Sequence, residues 1–196
     1  MASSRDVVLA ALRRGAIEIG EAPQLANLGV RYPDPLARFE QSLAAAGGEY
    51  RRLAPGVALA ESLRTLPCFA AARRILSGVA EIASVHPDAD PNEPRDLSDL
   101  DLAILPGSPA VAENGAVWVS PRDSLERAAC FLAEHVILVV PRDALVHDLH
   151  DAFERIPLGT RGFGCFVAGP SKTADIEQSL VIGAHGPRSL TVLMRG

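Results

Sequence analysis

The run HVILVVP, residues 135–141, limits the possible folds most. It is apolar at every position from Val136 to Val140. A strand with one face in water alternates apolar and polar side chains. An unbroken run of this length implies burial on both faces, the condition of a central strand in a parallel sheet covered by helices.

Other segments repeat the theme. EYRRLA from Glu49 and ARRILS (72–77) read as short strands, and LDLAILPG (100–107), GAVWVS (115–120), GCFVAG (164–169) and SLTVLM (189–194) as further ones. Helical patterns lie between and before them. Asp34 caps a helix that has Pro35 in its first turn, Leu36, Phe39 and Leu43 as its stripe, and Gly47–Gly48 as its stop. Residues 4–17, capped by Ser3 or Ser4, carry a stripe of Val7, Val8, Ala11 and Leu12. Residues 57–66 and 173–182 also read as helices. DALVHDLHDAFERI (143–156) reads as one amphipathic helix with Leu145, Val146, Leu149, Phe153 and Ile156 on one side. Residues 84–99, rich in Pro, Asp and Asn, are loop. Strands alternating with helices predict an α/β fold, an open and mainly parallel sheet flanked by helices. The expected organisation is a helical extension over 1–48 and an α/β domain over 49–196.

The balance of charges excludes several functions. Net charge is −5 over 196 residues, so no global basic field favours nucleic acid. The apolar stretch Val7–Leu12 is too short for a secretory signal, and no run nears the roughly 20 residues of a membrane span. A cytoplasmic protein is expected. Cys68, Cys130 and Cys165 are scattered with no CxxC, so a zinc or iron–sulfur site built from this chain is not expected, and the thiols are expected to be reduced core groups.

Three places carry candidate chemistry. The first follows the strand 164–169. Gly169 permits close approach of backbone, Ser171 and Thr173 offer hydroxyls, and Lys172 a cation. The helix expected over 173–182 would aim its N-terminal amides at this joint, which favours an anion. Asp175 and Glu177 would complement that helix dipole but repel the anion, and Ser171 or Thr173 would serve equally as a plain N-cap. The stretch is no Walker A loop, because Pro170 follows Gly169 where lysine should stand. The second place is Glu113, Asn114 and Gly115. Asn–Gly between strands is a hairpin signal, and a carboxylate there can also act as nucleophile or base. The third is His185 and Arg188 flanking a Gly–Pro turn, where arginine can clamp a carboxylate or phosphate. His147, His150, Asp148, Asp151 and Glu154 read as a solvated helix face. Asp88, Asp90 and Asn92 only mimic the start of a calcium loop, with Glu93 where glycine is needed.

The run GPSKTADIEQSLVIGAHGPRSLTVLM (169–194) resembles the signature of the lactate-utilisation (LUD) domain, specifically the LutC/YkgG family. AVAENGAVWVS (110–120) followed by HVILVV resembles that family's strand–turn–strand and next strand. The resemblance covers residues 97–194. It implies a fold like the NagB/RpiA/CoA-transferase group and a part in L-lactate oxidation beside iron–sulfur partner proteins. On that reading this chain carries no cluster and binds a small anionic ligand between the Glu113 loop, the Gly169–Thr173 joint and Arg188. Asn114 stands where the family has Thr or Ser, and Lys172 where arginine is common. The resulting ENG also resembles the catalytic-glutamate segment of class I CoA-transferases, although their glycine-rich CoA loop is missing. An acyl-CoA-transferase-like or sugar-phosphate-isomerase-like enzyme using Glu113 is therefore the alternative expectation.

Overall fold

The computed structural model describes residues 3–15, 20, 29–85, 90, 93–157, 162–176 and 179–196. In chain order its elements are α1 (Ser4–Arg14), α2 (Pro35–Ala45), β1 (Glu49–Leu53), α3 (Leu59–Arg64), α4 (Pro67–Ala71), β2 (Ile75–Ser77), β3 (Leu102–Pro106), β4 (Ala110–Val111), β5 (Val117–Val119), α5 (Ser124–Leu132), β6 (His135–Pro141), β7 (Leu145–Val146), α6 (Leu149–Arg155), β8 (Cys165–Val167), β9 (Lys172–Ile176), β10 (Ser179–Ile182) and β11 (Ser189–Arg195).

Five of these strands form one parallel sheet in the order β1-β11-β6-β3-β2. The α/β class expected from the sequence is what the chain adopts. The unbroken apolar run is explained by two cores, one on each face. Val136, Leu138 and Val140 of β6 pack into one core with Ala103 and Leu105 of β3 and Leu190, Val192 and Met194 of β11. Ile137 and Val139 point the other way, with Leu102, Ile104 and Leu193. The strand order fixes which helix covers which face. The step from β1 to β2 crosses the sheet in the sense opposite to the later steps. Right-handed crossovers therefore put its helices, α3 and α4, on the face opposite α5. Leu59 and Leu63 of α3 lie in the second core, whereas Ala129 and Cys130 of α5, with Phe39 and Leu43 of α2, lie in the first.

A second sheet, β7-β4-β5-β8, lies over the first core through Ala110, Val117 and Val119. Its other side, through Val111 and Val146, receives Ala152 of α6. The cap expected for α2 is present, since Asp34 Oδ1 accepts from Ala37 N at 2.9 Å. Ser3 closes a capping box with Asp6 on α1. The stripe of α1 is formed but exposed at Val7, Val8 and Leu12.

Two expected helices are corrected. Residues 173–176 and 179–182 are not helical: β9 and β10 pair antiparallel, with Lys172 opposite Ile182 and Thr173 opposite Val181. Thr173, Ile176, Val181 and Ile182 are β-branched and suit a pleated surface once a partner strand is at hand. The expected helix 143–156 begins only at Leu149. Leu145–Val146 instead pairs parallel with Ala110–Val111, and Asp148 caps α6 by accepting from Asp151 N at 2.9 Å. Asp148 is thus a buried cap and not part of a solvated face, and Phe153 is half exposed, not core.

Candidate functional site

Two of the segments singled out in the sequence, the Glu113–Gly115 turn and Gly169, pack against α2. The β4–β5 turn places Gly115 at a φ of +70°, against the helix backbone, where an added Cβ would lie 2.4 Å from Leu43 N. One turn further along, Gly169 at a φ of +72° leaves no room for a Cβ, which would lie 2.1 Å from the Ala46 carbonyl oxygen. Both positions need glycine for φ and for contact. Ser42 fastens the turn by donating to the carbonyls of Ala112 (3.0 Å) and Glu113 (3.1 Å). Asn114 Oδ1 accepts from Ala116 N at 3.0 Å, which completes the expected turn. The Glu113 side chain is exposed and its Oε2 accepts from Leu149 N at 3.4 Å, at the start of α6.

The Gly169–Thr173 joint lacks the amides that made it attractive for anions. No helix starts there. Ser171 N donates to Pro187 O (2.8 Å), and Ser171 O accepts from Gly183 N (2.9 Å). Lys172 is exposed and extends beside Gly47, and Thr173 and Asp175 belong to β9. Glu177 lies outside the described residues. Arg188 is engaged: its Nη1 donates to Glu134 Oε1 at 2.7 Å and its backbone N to Glu134 O at 2.8 Å. Gly169, Ser171 and His185 do share a cavity of about 290 Å³, whose wall includes Cys130 and Cys165. Arg188 lines a neighbouring cleft with His185, and Glu113 lies outside both.

A different cavity lies where open parallel sheets hold their ligands, beyond the carboxyl ends of the strands. It measures about 440 Å³, within the usual range for small-molecule sites. Gly78 follows β2, Gly107 and Ser108 follow β3, and Arg195 ends β11. Trp118 of β5 lines it as well. The strand ends are braced by backbone bonds: Gly78 N donates to Ile104 O (2.8 Å), Gly107 N to Val139 O (3.0 Å) and Ser108 N to Trp118 O (2.9 Å).

Charge enters this cavity from Arg195 and Glu81. Arg195 Nη1 donates to Glu81 Oε1 at 2.8 Å. That hydrogen bond holds the Glu81 carboxyl below its ordinary range. Arg195 Nε is buried and finds no hydrogen-bond partner among the described residues. Under the rim, the carboxylate of Glu126 is 4% exposed. It accepts from Arg122 N and Arg122 Nε, both at 2.8 Å, and pairs with Arg122 Nη2, which also donates to Gly78 O at 3.0 Å. The Arg122 guanidinium is raised above its ordinary pKa by that carboxylate.

These residues escaped the sequence reading because they are dispersed, at 78–81, 107–108, 118 and 195. The available signal was a glycine directly after each of two apolar strands, in SG and PG. Among the described residues no cluster of three metal-binding side chains is present, and no helix is long and apolar enough to cross a membrane.

The family model of the LUD domain matches residues 73–194. Lactate utilization protein C of Oceanobacillus iheyensis is 30% identical over 100 residues, covering 48% of this chain and 43% of that protein. The protein of the same name from Geobacillus kaustophilus is 39% identical over 83 residues, 39% of this chain and 35% of that one. The one from Deinococcus radiodurans is 31% identical over 112 residues, 56% of this chain and 53% of that one. The matched stretch thus spans about a third to a half of these relatives' length. The crystal structure of a DUF162 family protein from Deinococcus radiodurans matches with a TM-score of 0.61 at 20% identity. It covers 83% of this chain and 96% of that one, and shares the fold.

Proposed function

Because this chain belongs to the LUD domain family, we propose that it serves L-lactate oxidation as a component that holds a small carboxylate in the cavity at the strand ends. The observation that carries this is Arg195. It is a guanidinium at the carboxyl end of an inner parallel strand, with Nη1 on Glu81 and Nε buried without a partner among the described residues. A guanidinium binds a carboxylate through two parallel N–H bonds, and the Nε side of Arg195 is uncommitted among the described residues. Trp118 and Val139 supply an apolar wall for the carbon chain. The names of the relatives support lactate as the ligand class. In this reading the chain orients the hydroxy acid, and iron–sulfur partner proteins take the electrons.

The test is a thermal-shift and calorimetry series with L-lactate, pyruvate and lactamide, run on the wild type and on Arg195→Met. The expected result is stabilisation by the two carboxylates, none by the neutral amide, and at least about tenfold weaker binding in the variant, the loss of one charge-assisted contact. Carboxylate binding that Arg195→Met leaves unchanged would overturn the site. A clean deletion, with no second copy of the gene, that still grows normally on L-lactate would overturn the role.

A further inference from the structure

The cavity at the strand ends is larger than lactate needs. At a generous allowance of roughly 30 Å³ per heavy atom, the share of a water molecule in the liquid, lactate takes at most about 180 Å³. The cavity measures about 440 Å³. Besides the Arg195–Glu81 pair, its walls include Val79, Pro106, Trp118, Val139 and Pro141. Trp118 offers the widest of these apolar surfaces. It is half-buried, and its ring is held in place. A Cβ on Gly164 would lie 2.1 Å from Trp118 Cζ2, so the indole rests there on bare backbone. Phe166 meets the indole edge-to-face at 5.0 Å, and Trp118 N donates to Pro109 O at 2.8 Å. Trp118 and Ser120 also line a second cavity of about 220 Å³, with Ile156 and Phe163 on its wall. Trp118 thus borders open space in two cavities.

We propose that this site takes 2-hydroxy acids that carry an aromatic ring, the 3-aryl-lactates, more tightly than lactate itself, with the ring lying on Trp118. The proposal rests on the carboxylate reading of Arg195. The carboxylate of the ligand goes to the Nε side of the guanidinium, and the ring goes to the indole. L-3-phenyllactate has twice the heavy atoms of lactate. On the same allowance it needs at most about 360 Å³, which the cavity still holds. The methyl of lactate covers little of an indole and leaves the rest of that wall to water. A phenyl ring removes far more apolar surface from water. Aromatic pairs also gain beyond the area they bury when they stack offset or edge-to-face. Gly164 and Phe166 already fix the indole, so little ordering of this wall opposes binding. Lactate remains a ligand as the smallest member of the class.

The experiment titrates the wild type, Trp118→Leu and Arg195→Met with L-lactate and L-3-phenyllactate by calorimetry. It also follows the emission of Trp118, the one tryptophan of the chain, which needs no variant. Phenyllactate should bind the wild type at least about tenfold more tightly than lactate and should shift or quench the emission. Trp118→Leu should bring the ratio of the two affinities down to within about threefold. Arg195→Met should weaken both acids together. Equal affinities in the wild type, with both acids still lost in Arg195→Met, would overturn the aryl preference and leave the carboxylate site standing. A tenfold preference that Trp118→Leu retains, or that leaves the emission unchanged, would overturn the place given to the ring. Binding of neither acid, or of both without regard to Arg195, would overturn the carboxylate site and this proposal with it.

Discussion

Neutralising the carboxylate of Glu126 should destabilise the protein far more than neutralising that of Glu81, although each is half of an arginine ion pair. Glu126 is 4% exposed and takes three bonds from Arg122, whose side chain is 67% exposed. Glu126→Gln keeps the shape, removes the charge and turns one acceptor oxygen into an amide that faces a donor. A buried hydrogen bond to a charged group contributes about 1.5–3 kcal/mol. Water can re-solvate much of the released guanidinium, so the lower part of that range applies, about 2 kcal/mol. At roughly 2–4 °C per kcal/mol for a chain of this size, Tm should fall by about 4–8 °C. Glu81→Gln, at a pair whose carboxylate is exposed and whose arginine is partly exposed, should stay within the scatter of the wild type. Differential scanning calorimetry of both variants at pH 7, checked by urea unfolding, decides the matter. A Glu126→Gln shift under about 1 °C, or equal shifts in the two variants, would refute the claim that burial sets the value of these pairs.

Gly107→Ala should destabilise by about 1–3 kcal/mol through overpacking, because its Cβ would lie 2.4 Å from Val117 Cγ1. The neighbouring Trp118 should report the strain as a shifted emission maximum. Leu138→Ala, fully buried in the central strand, should cost about 3–5 kcal/mol in urea titrations. Acid should unfold the protein in a way traceable to Asp101 and Asp151. Backbone N–H groups of Arg74 and Arg73, at 2.9 and 2.7 Å, hold the Asp101 carboxyl below its ordinary range, and the hydrogen bond from Arg31 does so for Asp151. Lowered folded-state values mean that this stabilisation is complete above the unfolded carboxylate value, about 3.9. It is lost as pH falls through the lower folded values. Asp101→Asn should flatten that part of the stability–pH curve, and an unchanged slope would refute the assignment.

Much of the sheet was legible because burial on two faces leaves its mark in single strands. The alternation of Val136, Leu138 and Val140 against Ile137 and Val139 is invisible as hydropathy, yet the unbroken run already required cover on both sides. The α2 helix was legible because Asp34, Pro35 and Gly47 act within a few residues of one another. TADIEQSLVI misled because its spacing satisfies a helix and a hairpin alike, and the choice fell to pairing that local pattern does not encode. Leu145 and Val146 were misassigned for the same reason: β4 claims them before α6 can begin. The carboxyl-end cavity was the least legible part. Its residues share no segment, and only parallel pairing of β2, β3, β6 and β11 sets Gly78, Gly107 and Arg195 around one space.

The position of β11 between β1 and β6 bears on how the chain is made. On the ribosome β1 is complete at Leu53, but the strand that will lie beside it begins only at Ser189. Until then Tyr50 and Leu53 have no neighbour in the sheet, and β6 presents one bare edge. The parallel sheet is therefore sealed by insertion and not by growth at its border. A late insertion of this kind makes folding slow through its long-range contacts. It also leaves a nascent chain with two open edges, the state in which such sheets meet copies of themselves. Slowing translation between Leu53 and Ser189 should lengthen that exposure, whereas slowing it before Leu53 should not.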